Sequence, residues 1–114
     1  MHPDLDVLAD PTRRTLLALL SVERELCVCE LEAALELAQP VVSRQLAILR
    51  TAEWLDTQRE GRRIYYRIGA VPLRARLLIE AYVQVGVPPD QLRAARQRLG
   101  DFAGRPIRLT RAAS

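Results

Sequence analysis

Residues 39–68 read QPVVSRQLAILRTAEWLDTQREGRRIYYRI, and this stretch decides the fold. Pro40 is suited to open a helix, because the first turn needs no amide donor there. From it Val42, Leu46 and Leu49 recur at i, i+4 and i+7, the spacing of one helical face, and the pattern runs to about Ala52. Gln39, Ser43, Arg44 and Gln45 fall opposite that stripe. Beyond Trp54 the period changes to two. Leu55–Arg59 and Arg63–Ile68 read as strands around Glu60-Gly61-Arg62, with Gly61 supplying the positive φ of a tight turn. In the second strand Ile64, Tyr66 and Ile68 share one face, and Arg63, Tyr65 and Arg67 the other.

Immediately upstream, Leu26 to Leu37 predicts another helix, with Leu26, Leu31, Ala34 and Leu35 inward and Glu30, Glu32 and Glu36 outward. Gln39-Pro40 separates the two helices, since a residue before proline is pushed away from helical geometry. Two short helices so divided make a helix-turn-helix. Further out, Asp10 caps a helix that Pro11 opens, with Leu16, Leu17, Leu19 and Leu20 on its apolar face. Downstream, Pro72 starts a helix striped by Leu73, Leu77, Ala81 and Val85. Pro88-Pro89-Asp90 starts the last, with Leu92, Ala95 and Leu99 inward and Gly100 as its stop. The expectation is a mainly α chain with a small β-hairpin. Residues 1–104 form one winged helix-turn-helix domain and residues 105–114 a flexible basic tail. In such a domain the second helix of the pair enters the major groove, so Gln45 suits adenine and Arg44 suits guanine or a phosphate. The hairpin tip, with Arg59, Arg62 and Arg63, suits backbone or minor-groove contact.

Charge supports that partner. All 17 basic residues are arginine, and the net charge is only +3, yet its distribution is uneven. Residues 1–37 carry a net −5, residues 38–70 a net +3 and residues 90–114 a net +4, so the basic middle coincides with the helix and hairpin that would meet DNA. Other classes fall away. The longest apolar run, Leu16–Leu20, is far short of the ~20 residues of a membrane span. The first ten residues, MHPDLDVLAD, carry acids where a signal peptide carries bases, so a cytoplasmic protein is expected. With His2 as the lone histidine and no glycine-rich phosphate loop, nothing assembles a catalytic centre, and no permanent cofactor is expected.

The two cysteines stand in Glu25-Leu26-Cys27-Val28-Cys29-Glu30-Leu31. Within a regular helix, i and i+2 lie about 200° apart, so the two sulfurs could not share one ion. At a helix start they converge if the first turn is extended, and the helix N-terminus favours thiolates. A disulfide across a single residue would be strained, which makes soft-ion binding the better reading. The same thiols also suit an oxidant sensor or a response to another soft metal. Zinc suits them less, because it wants about four ligands and the chain has few others to offer. A metallochaperone or thiol enzyme built on the pair has no supporting motif.

These marks together, LADPTRRTLLALL, ELCVCEL, QPVVSRQLAILR and REGRRIYYR in this order, resemble the arsenical-resistance repressors of the ArsR family over roughly residues 5–100. The resemblance implies a homodimeric winged-helix repressor on an inverted-repeat operator, released when trivalent arsenic or antimony binds cysteine thiolates. Carried over by position, Cys27 and Cys29 are the metalloid ligands, and Gln39, Ser43 and Arg44 belong to the recognition helix. Dimerisation is expected through Leu5, Val7 and Leu8 of the N-terminal arm and the Pro72–Val85 helix, with an intramolecular core as the competing reading of those stripes. Three positions depart from the family pattern. Glu32 replaces a third cysteine found in some members, so the third ligand would be a small-molecule thiol, a residue of the partner protomer, or missing. Ala38 replaces a capping serine, and Glu53 a helix-ending glycine.

Overall fold

The computed structural model describes residues 6–71 and 73–106. Helix α1 (Pro11–Glu23) opens as the sequence predicts: the Asp10 carboxylate accepts from the Arg13 amide at 3.0 Å, and Pro11 occupies the first turn. Its run Leu16–Leu20 is buried on every side, because β3, α3, α4 and α5 surround it. An amphipathic surface helix has become the central post of the domain.

Helix α2 (Val28–Leu35) and helix α3 (Gln39–Thr51) form the helix-turn-helix. α2 is shorter at both ends than expected. It stops at Leu35, where Glu36 turns left-handed (φ 55°) ahead of Gln39-Pro40. At the other end Leu26 and Cys27 are not helical; they form a short strand, β1. Strands β2 (Leu55–Glu60) and β3 (Arg63–Ile68) make the hairpin, and β1 adds to its far side in the antiparallel order β1-β3-β2. Leu26 lies opposite Tyr66, and Cys27 opposite Tyr65. Tyr65 is therefore as deeply buried as Tyr66, where strict alternation would have left it facing out. Helix α4 (Leu73–Gly86) and helix α5 (Pro89–Asp101) follow, and α5 continues past Gly100 to a cap at Phe102.

The core is aliphatic apart from Trp54 and Tyr66. Val7 and Leu8 belong to it, at 9% and 1% exposure, which corrects their assignment to a dimer face. Arg13 and Arg14 explain the docking. They reach back from α1 to the carbonyls of Val7 (2.7 Å) and Leu8 (2.8 Å), so the arm is tied to its own domain. Leu5 lies outside the described residues. The stripe Leu73, Leu77, Ala81 and Val85 is exposed along its whole length, while Ala75 and Ile79 hold α4 to the core.

At Glu53 the helix ending closes as a glycine would close it. φ is 64°, and the Trp54 amide bonds to the Leu49 carbonyl at 3.0 Å. A side chain in this left-handed region costs about 1–2 kcal/mol. Glu53→Gly is therefore expected to stabilise the fold by about 0.5–1 kcal/mol in chemical denaturation, net of the extra freedom it gives the unfolded chain. An unchanged or lower midpoint would contradict strain at this turn.

Candidate functional site

The outward face of α3 presents Gln39, Ser43 and Arg44 exposed, opposite Val42, Leu46 and Leu49, which are buried. No side chain caps the helix at Ala38, as its methyl group dictates. Gln45 sits differently, half-buried, with its side-chain oxygen accepting from Arg13 at 3.1 Å. Two-point pairing with adenine uses both the oxygen and the NH2 of a glutamine amide. In this arrangement only the NH2 is open, and Gln45 also braces α3 against α1. In the wing, Arg59, Arg62 and Arg63 are exposed around Gly61 (φ 61°).

The cysteine pair is built by an unusual approach. Arg24 has φ 73° and ψ −55°, and the Glu25 amide bonds to the Glu23 carbonyl at 2.9 Å, a γ-turn of the rare, strained hand. It throws the chain into the extended conformation of β1, so that Cys27 (φ −89°, ψ 169°) becomes the N-cap of α2. The first turn then brings Cys29 beside it. The two sulfurs touch at 2.6 Å, both cysteines free; Cys27 is buried and Cys29 half-buried. The expected convergence is met by the extended cap.

Glu30, expected to face water, is instead the buried acid of the site. One carboxylate oxygen accepts from the Cys27 amide (3.0 Å) and the other from Arg105 Nε (2.8 Å). The spacing from N-cap to third helical residue is that of a capping box, with cysteine where serine or threonine is usual, and this was the available sequence signal. Arg105 stands at the first position of the supposed tail yet is anchored here; residues 107–114 lie outside the described residues.

Thiolate character at the helix start is not what the environment gives Cys27. Burial first, and then the contact with Cys29, push its thiol up to about 12; the Glu30 backbone N–H acts the other way, and the Glu30 carboxylate adds to the rise. Cys27 is a thiol at neutral pH. No group of three or more His, Cys, Asp or Glu able to hold a metal ion is present among the described residues, and Glu32 adds no sulfur.

Charge is redistributed by folding. The basic C-terminal segment lies back on the acidic N-terminal third: Arg96 pairs with Glu23 at 2.8 Å, Arg98 with Glu36 at 3.6 Å and Arg105 with Glu30. Arg44, Arg50, Arg59, Arg62 and Arg63 are exposed and make no ion pair among the described residues. Exposed arginines without an ion pair among the described residues thus cluster on α3 and the wing, with Arg76 and Arg93 as others outside that cluster.

Residues 10–55 match the family described as "Bacterial regulatory protein, arsR family". Arsenic resistance transcriptional regulator ArsR1 of Pseudomonas putida is 46% identical over 104 residues, covering 88% of this chain and 80% of that protein. The chain belongs to the ArsR family. Solved structures of ArsR-type repressors share its fold. The AntR antimony-specific transcriptional repressor superposes with a TM-score of 0.62 at 34% identity, covering 72% of each chain. The repressor BigR from Xylella fastidiosa gives 0.63 at 34% identity, covering 72% of this chain and 78% of that one. As an ArsR-family member the protein is a winged-helix, DNA-binding transcriptional repressor, a class of regulator and not of enzyme. No helix among the described residues is long and apolar enough to cross a membrane.

Proposed function

We propose that the protein is a cytoplasmic homodimer that represses transcription from an inverted-repeat operator and releases it when trivalent arsenic or antimony binds Cys27 and Cys29. Two copies of α3 enter successive major grooves, with Gln39, Ser43 and Arg44 at the bases and Gln45 offering its NH2. Arg59, Arg62 and Arg63 meet the flanking backbone. The side-by-side sulfurs of Cys27 and Cys29 carry this reading. The names of the P. putida and antimony-specific relatives support the effector class.

Capture of such an effector balances with Cys27 starting as a thiol. Arsenite at neutral pH is arsenous acid, and each As–S bond forms as a thiol proton leaves with an arsenic hydroxyl as water. With Glu32 in place of a third cysteine, the remaining ligand comes from a small-molecule thiol or the partner protomer.

The test is Cys27→Ser with Cys29→Ser. Operator affinity is expected to stay within about twofold of wild type, while arsenite release, worth about 5–150-fold in the wild-type protein, is lost. Release that survives the double substitution would place the effector elsewhere. Peroxide in a parallel titration separates an oxidant response from a metalloid one.

A further inference from the structure

Placing one ion between two sulfurs that touch at 2.6 Å parts them and moves Cys27 relative to Cys29, and the two are anchored differently. Cys29 lies in the first turn of α2, which α5 pins at both ends. Arg98 Nε donates to the Ala34 carbonyl at 2.8 Å, and Arg105, just beyond α5, grips Glu30 at 2.8 Å. Cys27 has one such tie, its amide on Glu30, but lies in a two-residue strand at the edge of the sheet, entered through the strained turn at Arg24. The movement therefore falls on β1. The ladder partner of β1 is β3, the inner strand of the wing. Cys27 faces Tyr65 there, two residues from Arg63.

We infer that effector capture is transmitted to DNA through the wing, by displacement of β1 against β3, and not through the recognition helix. This rests on the proposed effector site at Cys27 and Cys29. Wing and effector site share one sheet, so a shift of Cys27 re-aims Arg62 and Arg63 directly. The α2–α3 contact, in contrast, is between two helices whose relative position the α5 arginines and the buried Leu31, Ala34, Val42 and Leu46 hold fixed.

Amide hydrogen exchange on the full chain with sodium arsenite tests it, alongside operator binding and with the Cys27→Ser, Cys29→Ser protein as control. The expected result is exchange about five-fold or more faster over residues 63–68, with residues 39–51 unchanged and the control unaffected. Operator release with no change in β3, or with change confined to α3, overturns the inference while leaving the effector site standing. Failure of arsenite to weaken wild-type operator binding overturns the effector reading and this inference with it.

Discussion

Replacing Arg59, Arg62 and Arg63 together by glutamine is expected to flatten the salt dependence of operator binding. A dimer whose protomers each neutralise about four phosphates has a log–log slope near −7. If those four are the three wing arginines and Arg44, the triple variant keeps about one phosphate per protomer and a slope near −2. Affinity at physiological ionic strength falls with it by several orders of magnitude, and fluorescence anisotropy from 50 to 300 mM salt reads both. The informative companion is Arg96→Gln with Arg98→Gln. These arginines belong to the larger basic block of the sequence, but they are occupied by Glu23 and Glu36. Their loss leaves the slope unchanged. A slope that drops equally in both variants would mean that the C-terminal arginines leave their acids to meet DNA, and the partition of charge described above would fail.

That partition illustrates what the sequence could and could not reveal. Asp10-Pro11, the Val42–Leu46–Leu49 stripe and Gly61 are local signals, each decided by neighbours within a turn or two, and each element formed where they placed it. Glu30 depends on a partner 75 residues away, so its burial had no local signature beyond a capping spacing with an unusual cap. Leu26 and Cys27 are strand only because β3 offers an open edge some 40 positions downstream; a two-residue strand has no period of its own to detect. Val7 and Leu8 carry the same apolar signal whether they face a partner protomer or their own core, and the carbonyl contacts of Arg13 and Arg14 decide between them. The cysteine spacing was legible as a site, and the structure supplies the extended cap that lets both sulfurs meet. The protonation of Cys27 was not legible, because burial outweighs the helix terminus.

With Val7 and Leu8 folded inward, the most exposed large apolar side chains among the described residues lie on α4. Leu73, Leu77 and Val85 are 70%, 55% and 88% exposed, with Ala81 between them on the same face. Leucine and valine left this open along four turns are a poor surface for a monomer, and an interface between two copies of α4 would bury them. Leu73→Glu with Leu77→Glu changes nothing in the core, since Ala75 and Ile79 hold the helix from the other side. The variant should fold, keep its far-ultraviolet dichroism and sediment as a monomer at concentrations where the wild-type protein is a dimer. Operator affinity should then fall by about 10²–10⁴, the advantage that two linked heads have over one. Binding to a single half-site should be unaffected, because α3 and the wing are untouched. A variant that still sediments as a dimer would move the interface off α4. A monomer that bound the full operator as tightly as the wild type would show that one reading head is enough.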